Sequence, residues 1–472
     1  MKHGLSSSRV STGCGARALR VAGTVLTFSM LAGCGGGRGA PPTGGPAPAS
    51  AAQRSTIGPQ EYDVVALFRR LGLLARGAPM PFVGNISFFA AESPDSTHAV
   101  VAISMANTAL TFAREEDRFR AGYTIAITLR NGPTVVRNVE AHESVVVGSF
   151  KETTRQDESI LFEEILTLAP GRYEFTVNVR DDGGARSSED AATLDVPAAG
   201  SGGLSTPVSF ARATIRSRLG TLPQIVVNPT AAAIFGQDSV IPFFLEAYGV
   251  SDARRRVHYA VRSENGSPIF NDSAALDVHG ALYAGTIEIP AGRVSIGAMT
   301  LAVWIPGRPD TVRAPLFVGF GADLPLASFE EMVNYLRWFA SPFRLQQLRE
   351  TPPDGRPAVW SEFVRSHAEA APSGNALRDY FTRLAEANSR FREEASPGWM
   401  TDRGRVLLGL GRPDGVYEQT SRTLTDRGRT QIWEYRAHNM AITFYDQNGF
   451  GRWRLTTMSE SDFMIAWRRR VQ

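Results

Sequence analysis

The chain has 472 residues, 43% of them apolar and 21% charged, with a formal net charge of +3. That length allows two to four domains with buried cores, and the composition excludes wholesale disorder, a collagen-like chain and a multi-span membrane protein. The two cysteines, Cys14 and Cys34, are too few for a disulfide-dense scaffold or a zinc ribbon.

Residues 1–33 read as an export signal. Lys2, Arg9, Arg17 and Arg20 make a basic start without an acidic residue, and an apolar run from Val21 to Leu31 follows. The run is well short of the roughly 20 residues that span a bilayer as a helix. It leads into Leu31-Ala32-Gly33-Cys34, a box that is similar at every position to the bacterial lipoprotein signal. The resemblance implies cleavage before Cys34 and lipid attachment to that residue. Each buried methylene adds ~0.8 kcal/mol, so two or three acyl chains hold a protein stably on a membrane. Residues 34–60 extend the theme: seven glycines and five prolines fall between residues 35 and 60. Such a stretch lacks the apolar surface to fold and is expected to be a disordered tether.

A short helix is expected within 61–78, where Val64, Val65, Leu67, Phe68, Leu71 and Leu74 recur at near-helical spacing before Gly77 and Pro79. The pattern then changes to period two. Strands are expected around Ile86 and Phe88, and over Ala99–Met105, Tyr123–Leu129, Thr134–Val139, Val145–Val147, Ile160–Leu168, Tyr173–Val179 and Ala192–Val196, with turns at Asn131-Gly132 and Pro170-Gly171. This predicts an immunoglobulin-like antiparallel β-sandwich over 80–198. A second sandwich-like module is expected over 205–321, with strands at Ile241–Ala247, Val257–Arg262, Leu282–Ile289 and Met299–Ile305. Ala198–Gly203 links the two.

From 326 to 396 the period is 3.6. Ser328 and Glu331 have capping-box spacing ahead of Phe329, Met332, Val333, Leu336 and Phe339, and Pro342 is expected to end that helix. Two further helices are marked by Val359, Trp360 and Phe363, and by Leu377, Tyr380, Phe381, Leu384 and Phe391. Residues 397–472 read as a small α+β domain, with strands at Arg405–Leu410, Gln431–Arg436, Met440–Tyr445 and Gly451–Leu455. The chain is thus expected to be multidomain and mainly β, with a helical linker region before its last domain. Trp467-Arg468-Arg469-Arg470 reads as a frayed tail beside solvent or an anionic surface.

At the head of that last domain stands Gly398-Trp399-Met400-Thr401-Asp402, followed by Arg403-Gly404-Arg405. The pentapeptide resembles the signature of the GWxTD-domain family of bacterial envelope proteins. Tyr380-Phe381-Thr382-Arg383 and Ala387-Asn388-Ser389-Arg390-Phe391 are similar to the family's lead-in helix, Gly411-Arg412-Pro413-Asp414 to its turn, and Ile432-Trp433-Glu434-Tyr435 to its penultimate strand. The resemblance implies an exported protein with β domains ahead of the motif, and it brings no chemistry. The last domain is also similar in pattern to small lipoprotein modules of the outer-membrane assembly machinery, which have a helix where Arg405–Leu410 reads here as a strand.

Two readings fit the motif. In one it is a structural corner: Gly398 turns, Trp399 packs, Thr401 caps, and Asp402 pairs with an arginine. In the other, Arg403 and Arg405, two apart on an extended segment, fork onto a carboxylate or phosphate of a ligand or partner. Asp414 carries the same choice. No G-x-S-x-G elbow, H-E-x-x-H pair, Walker A loop or dinucleotide fingerprint is present, so catalytic residues are not assigned, and neither a metal nor a cofactor is expected. Among the 50 basic residues only Lys2 and Lys151 are lysine, an arginine bias that fits a GC-rich genome better than nucleic-acid binding.

The function expected from these features is a non-catalytic binding or assembly module. It is anchored through Cys34, faces the periplasm from the outer membrane, and has an envelope protein or glycan as partner. The alternative is a cell-wall or glycan-acting hydrolase using carboxylates among Asp402, Asp414 and Glu434.

Overall fold

The computed structural model describes residues 62–155, 159–250, 255–320, 326–368, 376–394, 396–420 and 428–472. The export signal, Cys34 and the tether lie outside the described residues. Helix α1 (Val64–Arg70) is capped by Asp63, whose carboxylate accepts the Ala66 N–H at 2.9 Å. It stops before Leu74, which opens the strand Leu74–Arg76 instead of ending the helix.

The first module is a sandwich. One sheet runs Leu74–Arg76, Phe82–Ala90, Thr97–Ala106, Ser159–Leu168. The other runs Ala113–Glu115, Arg118–Asn131, Gly171–Asp181, Ser187–Val196, with Thr134–Val147 also paired to Arg118–Asn131. Tyr173, Phe175, Val177 and Val179 all point into the core between the sheets, as period two requires. The Tyr173 hydroxyl donates to the Ala169 carbonyl at 2.9 Å, a tyrosine corner of the immunoglobulin kind. Thr134–Val139 and Val145–Val147, expected as two strands, are one, because Arg118–Asn131 is long enough to pair with both. A single turn, α2 (Phe150–Thr153), follows it.

The second module is likewise two facing sheets. Gln224–Val227, Val208–Thr214, Val240–Tyr248, Leu282–Pro290 and Asp277–His279 form one. Ala232–Ile234, Thr311–Gly319, Gly297–Trp304, Arg256–Ser263 and Pro268–Ala275 form the other. Ala232–Ile234 runs parallel to Thr311–Gly319, and the other pairings are antiparallel.

The two modules meet over an apolar patch that includes Phe89, Val100, Val208 and Phe244. Within it Arg216 grips Glu246 through Nε and Nη2 at 2.8–3.2 Å and donates to the Ala90 carbonyl of the first module at 2.7 Å. Both side chains are almost wholly buried, at 2% and 1% exposure, so the pair survives desolvation only because its remaining donors and acceptors are also used. The Tyr248 hydroxyl donates to Glu246, and Arg216 reaches the Leu219 and Thr221 carbonyls.

Helix α3 (Phe329–Tyr335) begins as its sequence demands, with Ser328 Oγ accepting the Glu331 N–H at 3.2 Å. Pro342 does not merely end this segment. It opens α4 (Pro342–Glu350) at a first-turn position, where a missing N–H costs nothing. Helices α5 (Arg356–Ala368) and α6 (Ala376–Arg390) follow. Phe320, just past the second module, stacks on Phe381 of α6 at 3.6 Å and tilts against Trp360 of α5 at 5.9 Å. The second sandwich and the helices therefore share one hydrophobic core. Even α1 joins the later part of the chain: Phe68 meets Phe317 edge-on at 5.3 Å, and the Tyr62 hydroxyl accepts the Ser328 N–H.

The last part corrects two expectations. Arg405–Leu410 is not a strand but part of α7 (Asp402–Leu410), and the C-terminus is not a frayed tail but α8 (Thr457–Val471). Val406, Leu407, Leu408 and Leu410 are buried on every side of α7, and a fully buried apolar run carries no period that tells helix from strand. In α8, Phe463 and Trp467 are buried one turn apart, and the Trp467 indole donates to the Trp338 carbonyl at 3.1 Å. Between α7 and α8 lies an antiparallel sheet of Gly415–Thr420, Arg429–Tyr435, Met440–Asp446 and Arg454–Leu455. No described helix is long and apolar enough to cross a membrane.

Candidate functional site

The pentapeptide is the joint between α6 and α7. Pro397 enters it extended, and Gly398–Met400 makes one 3₁₀ turn. That turn lies directly on the end of α6: a Cβ at Gly398 would stand 1.9 Å from the Ala387 carbonyl oxygen and 2.8 Å from the Asn388 Cα. Only glycine allows the two backbones this close. The Asn388 carboxamide accepts the Trp399 N–H at 3.2 Å, which ties the lead-in helix to the motif.

Trp399 is 3% exposed. Its ring meets Tyr335 edge-on at 5.3 Å, and the Arg337 guanidinium lies 4.5 Å over it. Thr401 is the N-cap of α7: its Oγ accepts the Gly404 N–H at 3.2 Å and donates to the Gly398 carbonyl at 2.7 Å. Asp402 opens the helix, pairs with Arg405 one turn on at 3.2 Å, and accepts the Leu455 N–H at 2.7 Å. Arg405 continues to Glu460 of α8 at 3.1 Å. Asp402, Arg405 and Glu460 thus bind α7 to the last strand and to α8.

Because α7 is a helix, Arg403 and Arg405 do not point the same way, and the two-pronged fork expected from an extended segment is not formed. Arg403 lies between Phe391 and Trp453, its guanidinium carbon 4.8 and 5.0 Å from the two rings. Arg429 covers Trp453 as well, at 5.1 Å. Burial pushes the Arg403 guanidinium down to about 10; Glu393 and Glu418 oppose that fall, and Arg429 and Arg390 add to it. Among the described residues no carboxylate stands within ion-pair distance of Arg403, and its Nε is buried without a partner.

Asp414 closes the turn into the sheet. Its N–H donates to the Glu434 carbonyl at 2.8 Å, and its carboxylate accepts the Arg436 N–H at 2.7 Å. Glu434 takes the Tyr417 hydroxyl at 3.3 Å and lies 3.5 Å from Arg436. The Tyr435 hydroxyl donates to the Gly411 carbonyl, and burial, with Asp414 adding, raises its ionisation well above the ordinary range.

The structure therefore brings Gly398, Trp399, Thr401, Asp402 and Arg405 together as an internal joint, sets Arg403 apart on an aromatic stack, and places Asp414 at a separate turn. Sequence reasoning missed Glu460 and Trp453, which complete these two clusters. The Phe463–Trp467 spacing behind Thr456 was the available signal for α8. Among the described residues no group of three His, Cys, Asp or Glu side chains could hold a metal ion.

This joint, with Trp399 packed against Tyr335 and its turn held between α6 and α7, lies within a stretch that matches a known family. The GWxTD domain model matches residues 319–471. This part of the chain is a GWxTD domain. The match begins upstream of residue 397 and takes in α3 to α6, in keeping with the core those helices share with the motif. No curated protein matches the chain. Solved structures that resemble it include the fibronectin(III)-like modules of Clostridium thermocellum CbhA, at 12% identity over 50% of this chain and 94% of that one, TM-score 0.12. A truncated trimeric ectodomain of the C. elegans fusion protein EFF-1 resembles it at 10% identity over 52% of this chain and 75% of that one, TM-score 0.15. At these TM-scores neither bears on what the chain does.

Proposed function

We propose that the chain is a lipid-anchored cell-envelope protein, tied to the outer membrane through Cys34, whose GWxTD domain is a non-catalytic binding or assembly module facing the periplasm. The anchor reading rests on Leu31-Ala32-Gly33-Cys34 and the Gly/Pro-rich tether behind it. The non-catalytic reading rests on one observation: the Thr401 hydroxyl, the Asp402 carboxylate and the Arg405 Nη2 are turned onto their own fold. Asp402, Asp414 and Glu434 each have internal partners, so the hydrolase reading draws no support from them.

Arg403 differs from its neighbours. It is half-buried on an aromatic stack and has no ion-pair partner among the described residues, so it is the motif side chain through which a carboxylate of an envelope protein or acidic glycan would be met. Cell fractionation of Cys34→Ala tests the anchor: the variant is expected in the soluble fraction, and unchanged, detergent-requiring association overturns the anchor. Arg403→Gln tests the module: it is expected to keep the parent's melting behaviour and lose a co-purifying partner, and an unaltered pull-down counts against it.

A further inference from the structure

A cavity of about 370 Å³ lies where the end of α1, the turn after Arg256–Ser263, the approach to Gly297–Trp304 and the starts of α3 and α5 converge. That size falls in the range of small-molecule sites, roughly 300–1,000 Å³. Gly297 brings two of these parts together: its φ is +98°, and a Cβ there would stand 2.6 Å from the Phe329 nitrogen. The Arg356 guanidinium, which lines the cavity, lies 4.0 Å over the Phe329 ring, and its Nε donates to the Thr351 carbonyl at 3.2 Å. These contacts fix its plane and leave Nη1 and Nη2 as a fork without a hydrogen-bond partner among the described residues. The side chain is 14% exposed, and the described carboxylate within ion-pair distance is Glu330 at 3.9 Å, largely exposed and shared with Arg349. Burial lowers the Arg356 ionisation, and Glu330 and Glu264 offset the fall only in part. Ser295, 3% exposed, also lines the cavity, and its hydroxyl has no partner among the described residues.

We infer that this cavity binds an apolar α-amino acid, its carboxylate on the Arg356 fork and the Ser295 hydroxyl, its ammonium on Glu330. The free donors decide the first half. A guanidinium held flat with two N–H groups to offer matches the two oxygens of a carboxylate. A buried hydroxyl in the same cavity is a further donor that costs stability while it is unmet. The balance of charge decides the second half. Two arginines, Arg70 and Arg356, and two glutamates, Glu264 and Glu330, line the cavity, so its charges cancel and a dianion such as phosphate is not matched. Arg70 is tied to Glu264 by an ion pair, which leaves Arg356 and Glu330 as the loosely matched couple. An α-amino acid carries its carboxylate and its ammonium on one carbon, close enough to meet both members of that couple. Ala298, Met299 and Phe329 supply apolar lining for its side chain. Arg403 does not line this cavity, and the inference does not rest on the role given to it.

Calorimetric titration of the detergent-solubilised full chain with racemic leucine tests the site. Saturable binding is expected, weakened roughly tenfold for leucine amide, which lacks the carboxylate, and for N-acetylleucine, which lacks the ammonium. Inorganic phosphate is expected not to compete. Arg356→Lys keeps the charge and loses the fork, and is expected to weaken leucine roughly tenfold. Ser295→Ala is expected to weaken it a few-fold without changing the melting temperature, and this variant carries the test if Arg356→Lys does not fold. Glu330→Gln is expected to abolish the preference for leucine over N-acetylleucine. No saturable heat at tens of millimolar, leucine amide bound as tightly as leucine, or displacement by phosphate overturns the inference. So does unchanged affinity in folded Arg356→Lys or in Ser295→Ala, or an undiminished preference in Glu330→Gln.

Discussion

A Cβ on Gly404 would lie 1.9 Å from the carbonyl oxygen of Gly398. The same oxygen accepts the Thr401 N–H and hydroxyl, so the first turn of α7 is folded over the 3₁₀ turn that precedes it, backbone on backbone. Gly404→Ala is therefore expected to cost about 3–5 kcal/mol or to abolish folding. Gly292→Ala is the control: a Cβ there meets nothing within 4 Å, and its effect is expected to stay within about 0.5 kcal/mol. Urea denaturation of both variants reads the difference.

Thr401 has a narrower role. Its hydroxyl caps α7 and is buried. Thr401→Ala is expected to lose about 1–2 kcal/mol, the upper part of the range for an N-cap, while Thr401→Ser keeps both hydrogen bonds and most of the stability. If both variants melt alike, the hydroxyl is not what holds the joint.

The junction between the sandwiches has its own test. Glu246→Gln removes one charge of a buried pair and leaves the Arg216 guanidinium among the apolar residues of the interface. An uncompensated buried charge of this kind typically costs about 3–5 kcal/mol. Hydrogen exchange is expected to show the loss at both modules, since Arg216 also donates to Ala90.

Asp446 makes the GWxTD domain acid-sensitive. Burial alone would raise its ionisation, but hydrogen bonds from Arg429 and from the Gly451 N–H, with the Arg429 charge, bring it below the ordinary carboxylate value. A carboxylate depressed in the folded state contributes stability that is full above its unfolded value, near pH 4, and is lost as pH falls through the lower folded value. Asp446→Asn is expected to be less stable at pH 7 and to lose less on acidification to pH 3, measured by thermal melts across that range.

His98 gives the module junction a second, milder dependence. Burial lowers its ionisation, the Arg216 charge lowers it further, and a backbone contact at Leu219 with the Glu246 charge opposes them. Its Nδ1 lies 3.0 Å from the Thr167 hydroxyl, and its Nε2 is buried without a partner. The folded state holds the neutral ring, so its contribution is full above about pH 6.5 and declines as pH falls toward the folded value. His98→Gln is expected to flatten the fall in melting temperature between pH 7 and pH 5.

What was legible in the sequence was what strict local rules write into it. Alternation over Tyr173–Val179, the Ser328 cap of α3 and the apolar spacing of α6 each state their own conformation, because one face is buried and the other is not. The GWxTD pentapeptide could be recognised for the same reason: its glycine, tryptophan and threonine are dictated by a joint that tolerates few alternatives. The tertiary structure alone decided what depends on burial from all sides and on partners distant in the chain. Leu407 and Leu408 of α7 are enclosed all round and so carry no period. Asp402 finds Leu455, and Arg405 finds Glu460, more than fifty residues on. Arg403 lost its proposed alliance with Arg405 once the segment coiled, because a helix turns side chains two apart to different faces.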